Sequence, residues 1–267
     1  MKKITLAVIA VTTLAFTSCK EKTTKNDEIV AEKTVKEENL STSDSKNFDI
    51  TPISHASTIL SWDGTTMYVD PVGGGSIYEK YNSPDVVLIT DIHGDHLNVE
   101  TLEGMNTNGA KFIVPQAVAL KLPENLKKNI VILDNGNSAD VAGFTINAIP
   151  MYNLRKEDLD KHPKGRGNGY VIEKAGKRIY FSGDTEDIPE MRNLKDIDVA
   201  FVCMNLPYTM TVENAASAVL DFAPTKVYPY HYRGKNGLSD VEKFAKLIND
   251  NNEFIEVVQL DWYPEMN

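Results

Sequence analysis

The 267-residue chain has only two cysteines, Cys19 and Cys203, so a disulfide-stapled scaffold is excluded. Positive charge is also scarce: 28 Lys and Arg stand against 38 Asp and Glu, a formal net charge of -10. No broad basic surface is available for a phosphate backbone, which excludes nucleic acid as a partner. Long apolar runs are missing as well. The only extended one, Ile4 to Phe16, is too short to cross a bilayer comfortably, which excludes an integral membrane protein. With 16 Gly and 12 Pro the chain is neither collagen-like nor of low complexity. What is present, 42% hydrophobic and 25% charged residues, is the composition of a folded domain.

Lys2 and Lys3, the apolar run and the small residues Thr17 and Ser18 read as a secretory signal over 1–18. Its ending resembles a bacterial lipobox. That resemblance implies cleavage before Cys19 and acylation of Cys19, so that a lipid anchor alone holds the protein to a membrane of the bacterial cell envelope, as a periplasmic or outer-membrane lipoprotein. The other reading is an ordinary secreted protein with an incidental cysteine. From Lys20 to Asn47, 13 of 28 residues are charged and none is aromatic, Pro or Gly. Residues 19–47 therefore read as the anchor residue and a disordered tether, and 48–267 as one folded domain.

Within that domain Asp63-Gly64 separates two strand-like runs, Thr58 to Trp62 and Thr66 to Asp70, which predicts a hairpin. Continuous apolar runs at Val86 to Ile89, Phe112 to Val114, Ile130 to Leu133, Ile179 to Phe181, Val199 to Val202 and Val227 to Tyr230 read as strands buried on both faces. Val212, Ala215, Ala216, Val219 and Leu220 after Thr211 predict an amphipathic helix that ends before Pro224. Ser239 and Glu242 form a capping box ahead of Phe244, Ala245, Leu247 and Ile248, which predicts a second helix. The class is α/β with mixed sheets.

Polar residues follow three of these strands. Asp91, His93, Asp95 and His96 offer four potential ligands within six positions after Ile89, Asp184 follows Phe181, and His231 follows Tyr230. Strand ends are where loops converge on a site, and imidazole with carboxylate suits zinc, manganese and iron being the other metals such donors accept. Cys203, inside an apolar run, reads as a small buried hydrophobe. Gly165, Gly167 and Gly169 read as a flexible loop near the site.

Asp91-Ile92-His93-Gly94-Asp95-His96 resembles the H-x-H-x-D-H loop of the metallo-β-lactamase superfamily, with Asp in place of the first His. His55-Ala56-Ser57, Tyr68-Val69-Asp70-Pro71, His162-Pro163-Lys164-Gly165, Ser182-Gly183-Asp184-Thr185 and Tyr230-His231-Tyr232 extend the likeness from His55 to the C-terminus. They are most similar to the branch containing L-ascorbate-6-phosphate lactonase and the phospholipase D that hydrolyses N-acylphosphatidylethanolamine. The resemblance implies a four-layer αββα sandwich with two zinc ions at one edge. One ion would be bound by Asp91, His93 and His162, and the other by Asp95, His96 and His231, with Asp184 bridging. Asp95 would also serve catalysis. Asp91 reads alternatively as a helix cap or as a group that supports the ligands from behind, and His162 as an exposed loop residue. Asp70 would orient a ligand imidazole from behind or only stabilise its turn, and His55 would line the pocket or sit in the core. Tyr208 would donate to an oxyanion or pack in the core.

The reaction so implied is metal-dependent hydrolysis of an ester, lactone or phosphodiester, in a small molecule or a lipid, by a metal-bound hydroxide. The alternative is a tethered metal- or ligand-binding lipoprotein without turnover. Asp91 makes the charge of a two-metal centre with its hydroxide neutral, which predicts a preference for uncharged or singly charged substrates, unless Lys164, Arg166 or Arg233 restores positive charge at the mouth.

Overall fold

The computed structural model describes residues 48–264. The signal, Cys19 and the tether up to residue 47 lie outside the described residues. No helix among the described residues is long and apolar enough to cross a membrane.

Asp63 and Gly64 both take left-handed backbone angles, φ 48° and 78°, the turn that matches the twist of two antiparallel strands. They join β2 (Ser57–Trp62) to β3 (Thr65–Val69). Outside β2 lies β1 (Phe48–Ser54), an edge strand that tolerates Pro52 because one side of its ladder is unpaired. Beyond β3 run β4 (Val86–Leu88), β5 (Lys111–Val114) and β6 (Ile130–Ile132), all parallel, completing a six-stranded sheet.

The second sheet repeats this plan, with antiparallel strands first and parallel strands after. Along it lie β7 (Ser138–Val141), β8 (Phe144–Met151), β9 (Gly167–Lys174), β10 (Lys177–Phe181), β11 (Val199–Val202), β12 (Lys226–Pro229) and, at the far edge, β15 (Glu256–Val257). A small hairpin of β13 (Arg233–Gly234) and β14 (Gly237–Leu238) follows β12.

Strand alternation decides the layers. Leu60, Trp62, Met67, Val69, Val86 and Leu88 pack towards the second sheet, whereas Ile59, Tyr68, Val87 and Ile89 face outwards. The outward set is covered by α1 (Val99–Gly104) and α2 (Gln116–Lys121) through Leu102, Val118 and Ala119. The second sheet carries α3 (Pro189–Arg192), α4 (Val212–Phe222) and α5 (Val241–Asn249) through Met191, Ala215, Val219, Phe244 and Ile248. The result is a four-layer αββα sandwich.

Thr211 caps α4 by accepting from the Asn214 N–H, and Ala223 ends it in a left-handed conformation. For α5 the expected cap is wrong by one residue. Asp240, not Ser239, accepts from the Lys243 N–H at 2.8 Å, while the Ser239 hydroxyl donates to the Met204 carbonyl. The glycine reading also needs correction: Gly167 and Gly169 lie in β9. A Cβ on Gly167 would stand 2.7 Å from the Thr90 carbonyl and 2.6 Å from Met151 Cε, so this glycine permits close packing behind the metal-loop motif.

Candidate metal centre

The first sheet presents Asp70 after β3 and the 91–96 loop after β4, and the second presents Asp184 after β10 and His231 after β12. His55 follows β1, and His162 comes from the connection between β8 and β9. Residues from both sheets meet at one edge, in three sets of donor atoms close enough to share an ion: Asp91, His93 and His162; His96, Asp184 and His231; and His55, Asp95 and His231.

His96 is fully buried and held from behind. Its Nδ1 lies 2.8 Å from Asp70 Oδ2, and Asp70 is itself fixed by the Thr90 N–H at 2.7 Å and the Thr90 hydroxyl at 2.6 Å. With Nδ1 donating to a carboxylate, His96 turns Nε2 to the centre, where it meets His231 Nε2 at 3.1 Å and Asp184 Oδ2 at 3.4 Å. The same Asp184 oxygen is 3.2 Å from His162 Nε2, and the other lies 3.3 Å from His231 Nε2. Asp184 thus stands between the two principal donor sets. His162 is buried, with Nδ1 3.3 Å from Asn153 Oδ1, so it is not an exposed loop residue.

The arrangement fits a cation. Asp184 Oδ1 is buried without a hydrogen-bond partner, and two imidazole Nε2 atoms point at each other across 3.1 Å. Burial opposes charge on His96, yet Asp184 and Asp70 hold its pKa well above the ordinary histidine value. Burial likewise opposes ionisation of Asp184, yet His231 and His96 hold it well below the carboxylate range. The protein has built a pocket that demands positive charge.

Asp95 Oδ2 lies 3.3 Å from His55 Nε2 and 3.4 Å from His231 Nε2. His55 Nδ1 lies 2.6 Å from the Tyr263 hydroxyl, whose oxygen already accepts from the Arg233 N–H at 3.1 Å. The phenol proton therefore goes to His55 Nδ1, and the His55 Nε2–H donates to Asp95. Burial drives the His55 pKa down to about 4 against the pull of Asp95, so the ring is neutral at pH 7. His55 orients Asp95; it does not belong to the apolar core.

Asp91 is completely buried and accepts from Arg166 through both oxygens, Nε to Oδ1 at 3.0 Å and Nη2 to Oδ2 at 2.9 Å, with His93 Nδ1 2.7 Å from Oδ2. It caps no helix: α1 is capped by Asn98. Of the three cations considered for the pocket mouth, Arg166 serves Asp91, Lys164 is turned away onto Glu190 and the Tyr152 ring, and Arg233 lines the cavity. The cavity holds about 470 Å³ and its walls include His55, His93, Asp95, His162, Asp184 and Tyr208.

Tyr208 is exposed in this cavity and does not pack in the core. Its loop is gripped through carbonyls: Asn153 Nδ2 donates to Tyr208 O at 2.8 Å, and Arg155 Nη2 donates to Pro207 O and Thr209 O at 3.0 and 2.7 Å. The roles of Asn153, Arg155 and Tyr263 carry no signal in the sequence, since each depends on a partner far along the chain. Cys203 is buried, and burial pushes its thiol pKa up to about 11, which excludes it as a nucleophile.

An αββα sandwich with paired His/Asp donor sets at one edge defines a metal-dependent hydrolase of the metallo-β-lactamase fold. Residues 49–231 match the beta-lactamase superfamily domain, and the chain belongs to that superfamily. It is 34% identical over 176 residues to a UPF0173 metal-dependent hydrolase of Thermococcus onnurineus, covering 64% of this chain and 77% of the relative. Among solved structures it is similar to a candidate metal-dependent hydrolase from Parabacteroides distasonis, with 34% identity, a TM-score of 0.72 and coverage of 81% of this chain and 94% of the other. Igni18, a metallo hydrolase from Ignicoccus hospitalis, shares 26% identity with a TM-score of 0.67 over 80% of this chain and 94% of its own.

Proposed function

We propose that the protein is a two-metal, zinc-preferring hydrolase of esters, lactones or phosphodiesters, in a small molecule or a lipid, anchored by acylated Cys19 to the bacterial cell envelope. The observation that carries the two-metal reading is Asp184, whose Oδ2 lies 3.4 Å from His96 of one donor set and 3.2 Å from His162 of the other. Asp91, His93 and His162, which lie close enough to share an ion, would hold one, and Asp184 would serve both. The other would fall to Asp95, His96 and His231, since His231 stands with His96 and Asp184 in one donor set and with Asp95 and His55 in another. Two bound ions supply a polarised carbonyl or phosphoryl group and a water whose pKa falls to about 7.

The chain's own residues do the rest. Asp70 fixes the tautomer of His96, and His55 fixes Asp95. Tyr208, held by its backbone at the cavity wall, is available to donate to the developing oxyanion. The order of motifs from His55 to His231 supports the lactonase and phospholipase D branch, and the Lys2 to Cys19 pattern supports the anchor. The hydrolase relatives weigh against a binding-only protein.

Elemental analysis of the purified protein, combined with a panel of esters, lactones and phosphodiesters, tests the centre. Two metal equivalents with turnover uphold it; one equivalent with no turnover on any member overturns it. Fractionation of cells expressing Cys19→Ala tests the anchor, which falls if the variant stays with the membranes.

A further inference from the structure

In the cavity wall, beside the metal-binding candidates, stand three cations: Lys161, Arg233 and Lys235. Among the described arginines one of them stands apart. Arg155, Arg166, Arg178 and Arg192 each hold a carboxylate, but Arg233 has no carboxylate partner among the described residues. Lys235 has none either, whereas Lys161 is engaged by Asp158. An acidic protein of net charge -10 thus leaves two cations uncompensated at the mouth of the cavity beside its His/Asp cluster.

Their backbone is fixed. Arg233 pairs with Leu238 and Gly234 with Gly237 in the β13–β14 hairpin, and the Lys235 N–H donates to Leu206 O at 2.9 Å. A Cβ on Gly234 would collide with that same carbonyl, so the hairpin rests directly on the loop that carries Tyr208. The Arg233 guanidinium lies 5.4 Å from the Tyr263 ring centre, and Tyr263 also contacts His55. The charges are therefore presented on a braced support, which lowers the cost of ordering them around a ligand.

We infer that the β13–β14 hairpin is an oxyanion clamp, in which Arg233 and Lys235 receive a carboxylate or phosphate group of the substrate while its scissile bond lies over the His/Asp cluster. The inference rests on the hydrolase reading above and narrows its substrate to an anion. It narrows the preference for uncharged or singly charged substrates expected from Asp91, because Arg166 neutralises that carboxylate and so removes it from the charge count. A charge-assisted hydrogen bond gives an expected loss of about tenfold in affinity for each cation removed.

The test uses the metal-loaded protein and its Arg233→Gln/Lys235→Gln variant, with metal content and melting temperature checked first. Calorimetry with inorganic phosphate and with succinate measures anion binding without requiring turnover. A rise in Kd of tenfold or more for either anion upholds the clamp, and the anion that responds identifies the group it takes. Unchanged Kd values for both anions overturn it. In parallel, the ratio of kcat/KM for mono-4-nitrophenyl succinate to that for 4-nitrophenyl acetate should fall about a hundredfold in the double variant, tenfold for each cation. If the wild type hydrolyses no ester, the hydrolase reading is in difficulty, yet the calorimetry still decides the clamp.

Discussion

Replacing Arg166 by methionine should destabilise the metal-free protein far more than the metal-loaded one. Asp91 has no solvent exposure and its two oxygens accept from Arg166 at 3.0 and 2.9 Å, so removing the guanidinium leaves a buried carboxylate with His93 as its remaining direct partner. Breaking one side of a buried ion pair costs ~3–5 kcal/mol. Protonating Asp91 instead limits the loss, since raising a carboxyl from its ordinary pKa to neutrality at pH 7 costs ~4 kcal/mol. At ~2–4 °C per kcal/mol for a domain of this size, the melting temperature of EDTA-treated Arg166→Met should fall by ~6–15 °C. Metal loading should recover much of that loss by returning positive charge to Asp91.

The pH dependence has a definite sign. Burial opposes ionisation of Asp91, but His93, His96 and Arg166 hold its folded pKa below the ordinary value. Its stabilising contribution is therefore full above the unfolded carboxylate pKa of ~3.9 and is lost as pH falls through the lower folded value. The gap between wild type and variant should accordingly narrow from pH 7 to about pH 4, as protonating Asp91 costs the variant progressively less, and close further below about pH 4 as the wild type loses its own contribution. Asp91→Asn/Arg166→Met, which removes both charges, should be more stable than Arg166→Met alone. A metal-free Arg166→Met protein melting within a degree or two of wild type would refute the claim that this pair holds the loop.

His162→Ala should lose one metal equivalent by elemental analysis, and an unchanged stoichiometry would remove His162 from the ligand set. Asp70→Asn should weaken metal binding by ~10–100-fold in chelator competition, because it loosens the His96 tautomer rather than removing a ligand; equal affinity would show that Asp70 serves only its turn. Tyr208→Phe should lower kcat by about tenfold or more with little change in KM, and unaltered kcat would exclude the oxyanion role. Iodoacetamide at pH 8 should leave Cys203 unmodified in the native protein and label it after unfolding, as peptide mapping would report; rapid native labelling would contradict its burial.

The strands that build the centre of each sheet were legible because buried apolar runs such as Val86 to Leu88 and Val199 to Val202 have no other use in an α/β chain. Edge strand β1 was harder, since its residues are only half buried and Pro52 interrupts the pattern. Helices α1, α2 and α3, of six, six and four residues, are too short to show a helical period. The capping error at α5 has a tertiary cause: Ser239 spends its hydroxyl on Met204, a choice that no local rule anticipates. Around the site, ligand-type residues could be read wherever they follow a strand. The pairing of Arg166 with Asp91 could not, because 75 positions separate them and only the fold brings them together.

The His/Asp cluster draws His96 and Asp95 from the first sheet and Asp184 and His231 from the second, so an ion held there acts as a rivet across the seam of the sandwich. Ligand binding that favours the native state adds RT ln(1 + [L]/Kd), ~4 kcal/mol for one site at a thousandfold excess over Kd. A chelator would then do more than stop turnover. It would loosen the join between the two halves of the molecule, and metal supply would set how firmly the halves stay docked as well as how fast the enzyme works.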